Sequence, residues 1–188
     1  MAKHATNSNL IRQDTSELRK LLEKSQKPNA DIPEILFNDD TLKIVTGITY
    51  LYYPFGKHSD IKDIEGFVRT GIVKKLSLKN LLVEGNSAQI TQISTKNSIV
   101  KFTYDEETLR QEIVSAIIRD NNFPFIENIR IGMSKEDFLS LLFNHPPKVP
   151  EDTIKLISLV EGIKHYYIFA HNKLSEIRMV TDYQIANK

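Results

Sequence analysis

The stretch IRIGMSKEDFLSLLF, residues 129–143, constrains the fold of this chain more than any other segment. Ile129 and Ile131 alternate as strand residues do, and Gly132 permits a sharp turn without a Cβ penalty. Ser134 is a strong helix N-cap, and Asp137 follows at the third helical position, a weaker form of the capping box. Met133 and Phe138 occupy the two positions of a hydrophobic staple. Phe138, Leu141 and Leu142 then supply one apolar stripe, and His145-Pro146-Pro147 ends the helix. A helix with a single apolar stripe must lay it on another element. Three β-type runs follow, at 153–161, 164–171 and 173–181, rich in Tyr166, Tyr167, Ile168, Phe169, Ile177 and Val180. Gly162-Ile163 and His171-Asn172-Lys173 are the turn candidates between them. The spacing predicts a helix over 134–143 packed on a small antiparallel sheet.

Upstream the signals are shorter. Residues 1–13 are polar and aperiodic, which predicts a frayed end. Asp14 and Glu17 read as a helix start, with Leu18, Leu21 and Leu22 as a narrow stripe ending near Lys27-Pro28. Residues 28–40 read as a linker with a small anchor, Ile35-Leu36-Phe37. Residues 41–53 read as a strand that Gly47 breaks or bulges, with Tyr50 and Tyr52 on one side and Tyr53 on the other. Asp60 caps an expected helix over 60–70, with Ile61, Ile64, Phe67 and Val68 inward and Gly71 just past its end. The runs 72–78, 81–84, 88–94 and 98–104 predict a meander. Leu109, Ile113, Ala116 and Ile117 fall on one helical face, which predicts a helix over 106–119. The expected organisation is a polar segment with a short helix and linker (1–40), a first α+β unit (41–122) and a second (123–188).

Laying Asp60 on Ser134 places Asp63 on Asp137, Ile64 on Phe138, Phe67 on Leu141 and Val68 on Leu142. Any core-facing helix needs such a stripe, so the match is open to two readings: chance, or a tandem duplication. The expected fold class is therefore α+β, helices packed on antiparallel β-sheet, with two tandem helix-plus-sheet units as one arrangement of it.

The run Ile131-Gly132-Met133-Ser134-Lys135-Glu136-Asp137-Phe138, followed by a proline-containing loop and β-hairpin strands, resembles a signature of the SmpA/OmlA-type small outer-membrane lipoprotein family. In that family a Gly-Met-Ser/Thr stretch opens a helix packed on a short sheet. Its fold is similar to that of the β-lactamase inhibitory protein, with two tandem helix-plus-sheet units. The resemblance implies an envelope or secreted protein that acts by binding other proteins. The chain departs from the family at His145-Pro146-Pro147, where a glycine-proline is usual, and in lacking a lipidation cysteine.

Composition narrows the function classes. Of 188 residues, 40% are hydrophobic and 26% charged, a balance that belongs to a globular chain rather than a disordered one. The formal net charge of +1 gives no overall basic excess for nucleic acid. With no cysteine, disulfides, thiolate metal sites and cysteine nucleophiles are excluded. No apolar run approaches the roughly 20 residues of a membrane-spanning helix. Residues 1–20 lack the apolar core of a signal peptide, which by itself predicts a cytoplasmic protein. An envelope or secreted location is expected if a signal precedes residue 1, with or without a lipid anchor.

Candidate chemistry is sparse. Asp39-Asp40, Asp105-Glu106-Glu107 and Glu136-Asp137 could be acid–base pairs, but each sits near an expected helix start or loop, where capping accounts for it. His165 and His171 would share a face of an unbroken strand. Two histidines do not complete a metal site, so they read as rim residues, and no metal or cofactor is expected. His58 and His145 lie in loops. Phosphate-binding glycine loops and nucleophile-elbow motifs are absent from the sequence. Lys74, Lys75 and Lys79 lack the interleaved aromatics of a nucleic-acid sheet. Tyrosines suit interfaces, although Tyr50, Tyr52, Tyr53 and Phe55 fit equally between helix and sheet. The residues expected to touch a partner are Tyr50, Tyr52, Tyr53, Tyr166, Tyr167, His165 and His171. The function expected is a non-enzymatic protein-binding or structural module of the bacterial cell envelope. The alternatives are a small-ligand binder with a pocket between helix and sheet, an enzyme whose residues meet only in the fold, and a cytoplasmic regulatory protein.

Overall fold

A computed structural model of the chain describes residues 34–38, 41–58, 60–65, 68, 71–79, 87–106, 109–123, 125–159 and 162–181. Nine strands form one sheet: β1 (Glu34–Asn38), β2 (Thr41–Thr46), β3 (Ile72–Lys79), β4 (Ser87–Ser94), β5 (Ile99–Asp105), β6 (Arg110–Ile118), β7 (Thr153–Ser158), β8 (Lys164–Ala170) and β9 (Lys173–Val180). Their order across the sheet is β1-β2-β7-β8-β9-β6-β5-β4-β3. β2 and β7 are parallel, and every other neighbouring pair is antiparallel. The sheet is therefore mixed, and it stays open, with β1 and β3 at its edges. Among the described residues three short α-helices accompany it: α1 (Thr49–Tyr52), α2 (Ile61–Glu65) and α3 (Lys135–Ser140).

Alternation decides which side of the sheet faces the helices. β2 and β7 each alternate half-buried and buried residues throughout. Leu42, Ile44, Ile154, Leu156, Tyr167, Phe169, Ile177 and Met179 form the core with Phe138, Leu139, Leu142 and Phe143 of the α3 region. The Phe138 ring lies 4.3 Å from that of Tyr167 and 5.8 Å from that of Phe169, centroid to centroid. The cap at α3 forms as the sequence implies: the Asp137 N–H donates to Ser134 Oγ at 3.0 Å, and Met133 and Phe138 are both buried. Gly132 adopts φ 89°, the left-handed region. That turn lets Gly132 N–H donate to the Leu174 carbonyl at 2.7 Å, which fastens the start of α3 to β9. Lys135, itself buried, donates from Nζ to the carbonyls of Val149 and Glu151 at 3.2 and 2.8 Å. It thereby ties the proline-containing loop to the helix.

Four expectations are corrected. Residues 110–118 are strand β6, not helix. The sheet register jumps between Lys101 and Phe102, so that Lys101 faces Ser115 and Phe102 faces Ile113, leaving Val114 as the extra residue of a bulge. The bulge lets Ile113, Val114 and Ala116 all be buried, which imitates helical spacing in the sequence. Leu109, counted on the helical face, is exposed with φ 55°. The expected strand 41–53 stops at Thr46, and Tyr50 and Tyr52 lie in helix α1. Part of the expected linker 28–40 is the edge strand β1. Ile129 and Ile131 lie outside any strand, Ile129 following a one-turn 3-10 segment at Ile126–Asn128. In the strand order β2 lies beside β7, far from β3. The expected helix 14–27, the frayed 1–13 and the run 81–84 lie outside the described residues, as do 66–67 and 69–70 of the helix expected over 60–70.

The β4–β5 turn is held by one carboxylate. Asp120 accepts from the Thr95 hydroxyl, from the Ser98 hydroxyl at 2.8 Å, and from the Asn97 side-chain and backbone N–H at 2.9 and 3.2 Å. The Thr95 hydrogen bond is the main cause holding the Asp120 carboxyl at a pKa of about 2, against the opposing effect of burial and with help from Asn97 and Ser98. Ser98 is buried, so removing the carboxylate strands its hydroxyl. Asp120→Ala should lower stability by about 1.5–3 kcal/mol, measured by urea denaturation at neutral pH. Because the folded pKa is depressed, this stabilisation is present above about pH 4 and fades as pH falls toward about 2.

Candidate interaction surface

The seven residues expected to touch a partner divide sharply. Tyr50, His165 and Tyr167 are core residues, at 5%, 1% and 0% exposure. Buried side chains cannot meet a partner, and His165 is not on a rim. Alternation along β8 points His165, Tyr167 and Phe169 inward together. Tyr166, between them, points to the opposite side. Tyr52 and Tyr53 are half-buried. Lys57 and Arg110 lie over the Tyr53 ring at 5.3 and 5.5 Å. His171 is exposed in the β8–β9 turn with φ 51°, on no shared face with His165.

The fold joins three of these groups into a polar pocket of the core. His165 Nδ1 lies 3.4 Å from the Tyr167 hydroxyl. The Tyr50 hydroxyl is buried and makes no hydrogen bond among the described residues. Burial, then the proximity of Tyr167 and Glu127, raises the Tyr50 pKa well above its ordinary value. Burial likewise raises Tyr167 and pushes His165 down to about 3. All three are neutral at physiological pH. Among the described residues no group of three or more His, Asp or Glu side chains is arranged to hold a metal ion, and no helix is long and apolar enough to cross a membrane.

The opposite side of the sheet is different. One row runs from edge to edge through Leu36, Lys43, Lys155, Tyr166, Arg178, Ile117, Ile99, Ser94 and Ile72, each opposite the next in register. Leu36, Ile99, Ile117 and Ile72 are exposed by 41–64%. The neighbouring row contains Val45, Ile157, Lys164, Val180, Ser115, Lys101, Gln92 and Lys74, with Val180 exposed. Ile90, on this side of β4, is buried apart from the main core. Lys155 Nζ sits 4.9 Å above the Tyr166 ring.

Beside these rows, Glu176 lies between two arginines. It accepts from Arg119 Nε at 2.6 Å and from Arg178 Nε. Burial opposes ionisation of Glu176, but the hydrogen bonds and charges of Arg178 and Arg119 outweigh it and hold the carboxyl below its ordinary value. The guanidiniums themselves are half exposed. One carboxylate between two guanidiniums leaves a net positive site.

Sequence reasoning missed this face, although part of its signal was present. Lys155 and Arg178 each lie between buried apolar residues, the mark of a half-buried strand. Ile99, Ile117 and Arg119 could be placed only after β6 was known to be a strand. No family model, curated protein or solved structure matches this chain.

Proposed function

We propose that this protein is a non-enzymatic binding module that contacts another protein through the sheet face opposite its helices. The observation that carries this reading is the row of exposed aliphatic side chains, Leu36, Ile72, Ile99 and Ile117, beside exposed Val180 and half-buried Tyr166, on a sheet whose other side already covers its core. Ile99 and Ile117 are direct neighbours, with Val180 diagonal to Ile117, and such a cluster of exposed apolar groups on a folded scaffold marks an interaction site.

The finer architecture belongs to the same proposal. We read the chain as two tandem helix-plus-sheet units, α2 with β3–β6 and α3 with β7–β9, similar in layout to the β-lactamase inhibitory protein. In support, Asp60 Oδ1 accepts from Lys62 N–H at 2.9 Å at the start of α2, as Ser134 does at α3. Ile64 and Val68 are buried like Phe138 and Leu142, their counterparts in the sequence match. The last strands of the two units, β6 and β9, pair antiparallel. An envelope location completes this reading.

The test is affinity capture from an extract of the source organism. Wild type and an α3-side control, Glu136→Gln, should recover the same partner, and Ile99→Asp with Ile117→Asp should not. Equal recovery by all three would place the contact elsewhere than on this face, and a clear thermal shift with a metabolite library and no captured protein would replace this reading with the small-ligand one.

A further inference from the structure

The uncovered face is cationic as well as apolar, and that combination selects among partners. We infer that its partner is a protein segment that presents carboxylates around one or more apolar anchors; this rests on the binding role proposed above. Along the two central rows, Lys43, Lys155, Lys164, Lys101 and Arg178 flank the exposed aliphatics, and Arg119 adds a second guanidinium beside them. Among the described residues the acids on this side include Glu176, which the two arginines already share, and Glu112, and Asp105 and Glu34 hold register positions of the same alternation, so the basic groups still outnumber them. The whole chain carries a formal charge of only +1, so this excess is segregated onto one face. Arg119 and Arg178 each engage Glu176 through Nε. Their terminal nitrogens make no other bond among the described residues, and a guanidinium edge of this kind takes a carboxylate bidentately.

Three polyanions could answer to positive charge, and the apolar groups decide between them. A single-stranded nucleic-acid platform stacks bases on several aromatic rings. Here the central row contains one aromatic, Tyr166, and the Lys155 ammonium lies over it. The remaining apolar groups of the two rows, Ile99, Ile117 and Val180 among them, are aliphatic side chains that do not stack with bases. An anionic lipid surface is met by an amphipathic helix or protruding basic segment that buries its apolar face between headgroups, whereas these aliphatics lie on the broad face of a sheet between lysines. An acidic protein surface with an aliphatic or aromatic anchor satisfies both halves of the face, with complementary charge steering the encounter.

Display selection of random dodecapeptides on the full chain reads the preference directly. Selected peptides should be enriched in Asp and Glu with at least one large apolar residue. A synthesised winner should bind at least about ten-fold more weakly to Lys155→Glu with Lys164→Glu, and to Ile117→Asp, with the far-ultraviolet circular dichroism of each variant unchanged. Raising salt from about 50 to 500 mM should weaken it by a similar factor. Neutral or basic winners that still depend on Ile117 would overturn the acidic partner and leave the binding role standing. Winners indifferent to all these substitutions would overturn both. Tighter binding to a single-stranded oligonucleotide, or to phosphatidylglycerol vesicles, than to the winning peptide would replace the protein partner with that polyanion.

Discussion

Phe138→Ala lowers the free energy of unfolding by about 3–5 kcal/mol. The ring is fully buried and packs on Tyr167 at 4.3 Å and Phe169 at 5.8 Å. Its removal opens a cavity at the one place where α3, β8 and the rest of the core meet, and it forfeits two aromatic pairings worth about 0.5–1.5 kcal/mol each beyond area burial. Neighbouring groups cannot collapse into the space freely, because α3 is fastened at both ends: by the Ser134 cap and Gly132–Leu174 bond at its start, and by the backbone bonds of Leu142 and Phe143 to Leu139 at its end. Total stability of a domain is about 5–15 kcal/mol, so this loss removes a large share. Urea titration should show a lower midpoint with an unchanged slope. Phe138→Leu, which keeps most of the volume, should cost clearly less. A midpoint shift for Phe138→Ala no larger than that of an exposed substitution such as Ile117→Ala would mean that the stripe is not buried in this way.

The second large effect is acid sensitivity from His165. Burial favours its neutral form and lowers its pKa from 6.5 to about 3. Apolar neighbours surround it: Leu156 faces it on β7 and Met179 on β9. The nearest polar group is the Tyr167 hydroxyl, itself neutral. In the unfolded chain the imidazole takes a proton near pH 6.5, whereas in the folded chain it waits until about pH 3. Between those values the unfolded state binds more protons, so stability falls as pH falls, at up to about 1.4 kcal/mol per pH unit. Between pH 6.5 and 4.5 the loss should reach about 2–3 kcal/mol. His165→Gln, neutral throughout, should flatten the curve over that interval. Asp120 acts below about pH 4, so its contribution is separated from that of His165 on the same axis. Urea midpoints measured at half-unit steps provide the check. A wild-type curve that is already flat from pH 6.5 to 4.5 would place His165 in contact with water.

Local chemistry was enough to find α3 and the strands that follow it. Ser134, Met133 and Phe138 act within one turn of one another, and the cap and staple need nothing from the rest of the chain. β7, β8 and β9 could be placed from their alternation and turn residues, because each strand has one covered side and a short connection to its neighbour. β6 could not. Its bulge at Val114 puts Ile113 and Ala116, three apart, on one covered side as a helix would, while Ile117 faces the other way, and a bulge exists only relative to a partner strand. The tyrosines at 50–53 failed for a related reason. Their composition suits a strand, but the pairing of β2 with β7 ends at Thr46, and α1 then packs toward β7. Tertiary packing overrode propensity there.

The sequence by itself determined the class of the protein, α+β, and the place of α3 and of the strands that follow it, since those depend on caps, turns and periodicity among near neighbours. Only the tertiary structure decided that β2 would lie parallel to β7, that His165 and Tyr167 would join Tyr50 in the interior, and that lysines and arginines scattered along the chain would gather on one uncovered face. Each of those outcomes depends on which strand sits beside which. Strand order is set by long-range burial and hydrogen bonding, and residues far apart in the chain carry no mark of it.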